Sequence, residues 1–399
     1  MTPNMPVSDL LEAVRRNAAL PDDRAEATPP QVYTSPEFLE LERDAIFNKE
    51  WICVGRSDEF VNPGDYRVAT ISRDDVVILR DRDGVLRAMS NICRHRMMSL
   101  LEGEGNLTGK ITCPYHAWTY NLDGQLIGAP HMRDNFDKSA CRLPQFAVEE
   151  WLGWVYVNLD PQAEPLAPHL APIAKRLANY DVASYRTLFQ VDEVWNTNWK
   201  ILFQNFMEPY HLFAVHATTV EPALPTRLSV IQEGGPGFCL YTQGRMPGVA
   251  YEYGEAMQNP NPALTEEETN TVPLFGAFPG HVASISPERT FWMSLMPIDV
   301  SSVRVLWGVD VHPGAMPDGS AREERIEALK TSFHAINDED KPVTAAIARN
   351  AKALAAEPGR LSPKEATILD FQRYLARMLG GASQPETFRQ APTTRSEAE

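Results

Sequence analysis

The sequence predicts an α+β chain of two units: a smaller all-β unit between N-terminal helices and a larger unit of mixed helices and strands. Three observations carry this. At 399 residues the chain exceeds what one ordinary core organises, so two units are expected. The apolar pattern changes from helical to short strands and turns after the first helices, then to a mixed pattern beyond a proline-rich stretch. With 43% hydrophobic and 23% charged residues, the composition is that of a globular protein able to bury proper cores.

Two helical stretches open the chain. In the second, Ser35 suits the N-cap, Pro36 fits the first helical position, and Phe38, Leu41 and Ala45 share a face. From about Tyr66 to Val157 short strands follow. Val76–Leu79 and Val85-Leu86 flank Asp83-Gly84, a hairpin signal repeated at Asp123-Gly124. The apolar run Trp151 to Leu159 reads as one buried strand closing this unit, and Pro161 to Pro172 as a linker. Beyond it, helical signals near 198–217 and 339–356 accompany strand-like runs at Gly237–Gly244 and Arg289–Val311. The last helix begins with Ser362-Pro363-Lys364-Glu365, an N-cap, a first-turn proline and a capping-box glutamate. Ile368, Phe371, Leu375 and Met378 form its stripe as far as Gly380-Gly381. The expected boundaries are 1–44, 45–160, 161–382 and a loose polar tail over 383–399.

A formal charge of −16 opposes nucleic-acid binding, because such a surface repels phosphate. The first twenty residues contain no apolar signal core, and no window offers the roughly 18 apolar residues of a membrane span, so a cytosolic protein is expected. Five cysteines, Cys53, Cys93, Cys113, Cys141 and Cys239, are an odd number that does not suit a disulfide framework. Metal chemistry is the better use for them.

Cys93-Arg-His95 and Cys113-Pro-Tyr-His116 form a C-x-H and C-x₂-H pair separated by 17 residues, each beside one of the hairpins. Two thiolates and two imidazoles so arranged suit a [2Fe–2S] cluster whose cysteines hold one iron and whose histidines hold the other. The competing reading is a Cys₂His₂ zinc site, for which the C-x-H half is atypical. The segments CRHR and CPYHAWTYNLDG resemble the Rieske signature of the ring-hydroxylating oxygenase α-subunits. Where those proteins commonly carry glycine, this chain has Met97 and Ala117.

Glu208, His211 and His216 form E-x₂-H-x₄-H. Two histidines with one carboxylate and open positions describe the facial triad of non-haem Fe(II) oxygenases. On a straight helix a five-residue step rotates by about 140°, so His211 and His216 need a π-bulge or a break near Pro209 to face one ion. Asn198-Trp199-Lys200, then Asn205, then Glu208-Pro-Tyr-His211-x₄-His216 is similar to the mononuclear-iron motif of the same family. The resemblance implies that His211 and His216 are iron ligands and that Glu208 is the acid bridging the two metal centres. Glutamate in place of the usual aspartate occurs in members acting on quaternary amines. Gln204 stands where a carboxylate is frequent. For the third ligand the resemblance of the later segment points to Asp340 in Asn337-Asp-Glu-Asp340-Lys-Pro, with Asp338 in reserve; a charged, solvated helix start is the plain alternative.

The resemblance also implies a Rieske β-domain inserted into a helix-grip catalytic domain with a curved antiparallel sheet, the N-terminal helices packing on the latter. It implies an α₃ trimer in which electrons cross from the Rieske cluster of one subunit, through His116 and Glu208, to mononuclear Fe(II) of the next. O₂ is then the cosubstrate. NAD(P)H must act through a separate reductase or ferredoxin, since no G-x-G-x-x-G run sits at a strand-to-helix junction. The implied activity is hydroxylation or oxidative demethylation of a small organic molecule, an N-methylated or quaternary amine first and an aromatic acid or hydrocarbon as the alternative. A Rieske electron carrier would need only the first unit. Asn205 resembles a pocket-facing position, with Phe206, Leu212 and Phe213 as candidate walls. Tyr241, Tyr251, Tyr253, Trp292 and Trp307 suit either an aromatic cage for a methylated ammonium or plain sheet core.

Overall fold

A computed structural model of the chain describes residues 5–249, 261–315, 319 and 322–380. The chain divides into two compact units, 43–168 and 1–42 with 169–399. In the first, a seven-stranded antiparallel sheet runs in the order Ile52–Arg56, Trp154–Asn158, Gln145–Trp151, Leu86–Ser90, Asp74–Arg80, Asp65–Ile71 and Glu104–Asn106. A three-stranded sheet of Lys110–Thr112, Thr119–Asn121 and Leu126–Gly128 accompanies it. Both signalled hairpins form, with Gly84 at φ +77° and Gly124 at φ +86°, conformations in which a side chain would be strained. Asp81 secures the first hairpin by accepting from the N–H groups of Asp83 and Val85, each at 2.9 Å, and from Arg87 Nε at 2.6 Å.

The apolar run from Trp151 is not one strand. Leu152 and Gly153 take φ +48° and +83°, and the tight turn pairs Trp154 back onto Trp151. Gly153 was the only cue, and hydrophobicity on both sides hid it. The proline-rich segment likewise contains two short helices, Leu166–His169 and Ala171–Arg176, the second with proline in its first turn where no N–H is missed.

In the larger unit all seven strands are antiparallel, in the order Arg186–Trp195, Ser302–Val311, Arg289–Asp299, His281–Ile285, Thr271–Ala277, Phe238–Gly244 and Ser229–Ile231. The helical signal at 339–356 is the second half of the 29-residue helix Arg322–Asn350. Its first half buries only Leu329 and Phe333 among many charges, too sparse a stripe to announce a helix. Ser362 caps the last helix as expected, its Oγ accepting from Lys364 N–H at 3.2 Å, and the helix runs over Ala366–Gly380. The tail assigned to 383–399 lies outside the described residues.

Near the N-terminus Ser35 Oγ accepts from Phe38 N–H at 3.1 Å. Phe38 is fully buried, whereas Leu41 and Ala45 are only half-buried, because the helix Pro36–Glu42 widens into a π-turn over Arg43–Phe47 and rotates the buried face to Glu42 and Ile46. Glu42 is buried with a purpose. It pairs with Lys200 Nζ at 2.8 Å and accepts from Trp199 Nε1 at 3.0 Å, tying the helix Trp199–Phe206 to the N-terminal segment. Gln204 on that helix accepts from Tyr33 Oη at 2.6 Å and donates to Thr28 at 2.9 Å. The amide therefore fastens the helix. Among the described residues no helix is long and apolar enough to cross a membrane.

Candidate metal centres

Cys93, His95, Cys113 and His116 sit on two loops of the smaller unit with one backbone pattern. In the first, Cys93 N–H donates to Met98 O (2.8 Å) and Met97 N–H to Cys93 O (3.0 Å); in the second, Cys113 N–H donates to Trp118 O (2.7 Å) and Ala117 N–H to Cys113 O (3.0 Å). Each loop closes through a left-handed residue, Met97 at φ +57° and Ala117 at φ +56°. These are the two positions where the resembling proteins carry glycine, so the fold imposes the same turn on residues that pay for it in strain. The cysteines are buried and both histidines exposed. The imidazole centroids are 4.8 Å apart, and His95 stacks on Trp118 at 4.8 Å with 9° between the planes.

Burial, together with the neighbouring Cys93 thiol, pushes the Cys113 thiol up. A thiol so placed is costly to ionise unless a metal takes its proton's place. Tyr120 Oη lies 3.3 Å from Cys93 Sγ and accepts from Arg94 N–H at 3.0 Å. With that acceptor role filled, its own proton is free for the sulfur. Two buried sulfurs and two outward imidazoles fit a cluster with one thiolate-held and one histidine-held iron.

The second centre belongs to the larger unit. The helix Trp199–Phe206 ends at Met207, and a separate single turn, Leu212–Val215, follows Pro209. His211 and His216 flank that turn, so no continuous helix carries their five-residue spacing, and the expected rotation mismatch is removed. Glu208 reaches back over the break. Its Oε2 accepts from the N–H groups of Tyr210 and His211, and its Oε1 lies 2.7 Å from His211 Nδ1.

From the helix Arg322–Asn350, Asp340 Oδ1 stands 3.2 Å from His216 Nε2 and 3.8 Å from His211 Nε2. The three ligand atoms lie within 4.8 Å of one another. Despite the short approach to His216, Oδ1 lacks an aligned hydrogen-bond partner among the described residues, although the atom itself is buried. Burial alone would raise the Asp340 carboxyl, but the facing imidazoles of His216 and His211 outweigh it and hold it below its usual range. Burial would lower His216, yet the Asp340 and Glu339 carboxylates raise it. The same carboxylates would attract a metal cation. An orphaned buried carboxylate oxygen facing two Nε2 atoms fits a divalent metal with two histidines and one acid.

Several expectations need correcting or extending. Asp338 takes no part: its carboxylate is exposed and pairs with Lys341 Nζ at 2.9 Å. Glu339 was not foreseen. Its Oε2 lies 2.6 Å from His216 Nδ1 and accepts from Thr219 Oγ1 at 2.7 Å. Only its adjacency to Asp340 hinted at it. A cavity of about 100 Å³ opens beside these groups, lined in part by Asn205, Phe206, Leu212 and Tyr241. Phe213 is not a wall. It is 51% exposed and packs edge-on against Tyr210, because successive residues of a helical turn point about 100° apart and Leu212 takes the inward place. Trp292 and Trp307 are fully buried sheet core and do not line the cavity; Tyr251 and Tyr253 lie outside the described residues.

Residues 176–381 match the family model of the ring hydroxylating alpha subunit catalytic domain, and residues 50–147 that of the Rieske [2Fe-2S] domain. The chain is 38% identical over 198 residues to the carnitine monooxygenase oxygenase subunit of Acinetobacter baumannii, covering 49% of this chain and 53% of the relative. It is 33% identical over 189 residues to the glycine betaine monooxygenase oxygenase subunit of Chromohalobacter salexigens, covering 47% and 42%. These alignments span about half the length of the curated relatives. A crystal structure of a quaternary ammonium Rieske monooxygenase, CntA, superposes with a TM-score of 0.75 at 26% identity, covering 91% of this chain and 98% of that one. Naphthalene 1,2-dioxygenase from Rhodococcus sp. shares the fold at 22% identity, with a TM-score of 0.78.

Proposed function

The chain belongs to the ring hydroxylating alpha subunit family with its Rieske [2Fe-2S] domain, and from that premise we propose that it is the oxygenase component of a monooxygenase acting on an N-methylated or quaternary amine. Cys93, His95, Cys113 and His116 would hold the [2Fe–2S] cluster, and His211, His216 and Asp340 the mononuclear iron. When bound, the two centres supply stored electrons and open coordination positions for O₂.

The chain's own residues do the rest. Glu208 and Glu339 stand at the Nδ1 edges of the two imidazoles, an arrangement that suits Nδ1–H tautomers with both Nε2 lone pairs turned toward Asp340. Glu208 also spans the helix break, so the same carboxylate that orients His211 is available to a partner beyond it. In this reading the assembly is an α₃ trimer, and exposed His116 of one subunit donates to Glu208 of the next, giving a bonded path between centres. A separate NAD(P)H-dependent reductase or ferredoxin supplies the electrons, and the protein works in the cytoplasm.

The observation that carries the substrate class is the cavity lining. Among the described residues it presents the rings of Phe206, Tyr241, Phe291 and Phe333. Aromatic faces favour a methylated ammonium through cation–π contact. The names of the relatives, carnitine and glycine betaine monooxygenase oxygenase subunits, agree with that class. The test is NADH-dependent O₂ uptake with a matched reductase across N-methylated amines, aromatic acids and hydrocarbons. Uptake coupled to aldehyde release from an amine is expected; coupled hydroxylation of an arene with no amine turnover would overturn the proposal.

A further inference from the structure

Glu339 has no counterpart in the motif readings above, yet its surroundings match those of Glu208 feature for feature. Each carboxylate stands at the Nδ1 edge of one candidate iron histidine, at 2.7 Å for Glu208 and His211 and at 2.6 Å for Glu339 and His216. Each is anchored by a second donor: the backbone N–H of His211 for Glu208, and the Thr219 hydroxyl for Glu339. The difference is where they come from. Glu208 is three residues from its histidine, whereas Glu339 reaches His216 from a helix 123 positions later in the chain.

We propose that Glu339, held by Thr219, is the positioning residue of the mononuclear iron site that fixes the tautomer and ring orientation of His216. It rests on the iron-site reading given above. An imidazole whose Nδ1–H donates to a carboxylate must present its Nε2 lone pair outward, and the carboxylate raises the basicity of that nitrogen. Because Glu339 and Asp340 are neighbours on one helix, that helix delivers both a ligand and the support of the other ligand. His216 is 2% exposed, so a misturned ring would have little room to recover.

The test uses the full-length holoprotein with its cluster intact. Mononuclear iron is removed with a mild chelator, and Fe(II) rebinding is titrated against a competing chelator. Glu339→Ala should weaken iron binding roughly 10–100-fold, and Glu339→Gln, which keeps an acceptor for Nδ1–H without the charge, should restore part of it. A residue serving only helix packing would lower the melting temperature and leave this affinity unmoved. Wild-type affinity in Glu339→Ala overturns the inference; where that variant does not fold, wild-type affinity in Glu339→Gln does so. Asp340→Ala separates the two levels. If it retains the iron, or if the wild type binds none beyond the cluster, the iron-site reading itself fails and takes this inference with it.

Discussion

All four candidate cluster residues lie within the stretch Cys93–His116, on two loops that repeat one hydrogen-bond pattern and close on their own backbone. The second centre instead joins His211 and His216 to residues 339 and 340 of a distant helix, and the helix leading into it is fastened by a buried Lys200–Glu42 pair. A site made of local turns carries its strain locally and keeps its geometry when distant parts loosen. A site made by bringing elements together is only as well formed as the ties between them.

That contrast can be broken most forcefully at the tie. Lys200→Met would take the ammonium away from the buried Glu42 carboxylate, at a cost of about 3–5 kcal/mol, while Lys200→Met with Glu42→Leu should recover most of it. Denaturant unfolding and iron content measure this together: the mononuclear iron should be lost before the cluster spectrum changes. A loss below about 1 kcal/mol would show that the pair is not what holds the helix.

Next in size is Glu208→Gln. It should keep both metals and lower coupled turnover by roughly 10–100-fold or more. Normal product formation would remove Glu208 from the path between centres. At the cluster, Tyr120→Phe deletes the side-chain hydroxyl that faces Cys93 Sγ. The midpoint potential should fall by tens of millivolts, since about 1 kcal/mol of differential hydrogen-bond energy is roughly 40 mV for a one-electron couple. An unchanged potential in a redox titration would mean that the hydroxyl does not serve the sulfur.

Smaller effects test whether the loop strain is local. Met97 is 81% exposed, so Met97→Gly loses little contact and relieves a left-handed side chain. With Ala117→Gly it should stabilise the cluster-bearing unit by up to about 1 kcal/mol, read from thermal loss of the cluster absorbance. A destabilised variant would refute the strain argument. The smallest effect is in acid. Burial raises the Asp81 carboxyl, but the Val85 N–H, the Arg87 guanidinium and the Asp83 N–H outweigh it and hold it below its ordinary value. The folded value lies below the unfolded one, so the stabilisation is present above about pH 4 and is lost as pH falls through the folded value. Asp81→Asn should flatten that acid slope without touching the mononuclear iron.

The amino-acid sequence by itself determined what short-range chemistry can encode. The hairpin at Asp123-Gly124 and the capping box at Ser362 are each complete within a few residues, as is each half of the Cys93–His116 pattern, and each is legible because turns, caps and metal ligands have their own residue requirements. The same holds for the Glu208, His211 and His216 spacing, down to the need for a break near Pro209. Tertiary structure alone decided what comes from far away. Glu339 and Asp338 are equivalent as letters on one acidic stretch, yet one faces His216 and the other pairs with Lys341 in solvent, because a helix turns neighbours about 100° apart and only its docking decides which side is inward. Leu212 and Phe213 are separated by the same rule, and the cavity between helix and sheet exists only after both have packed.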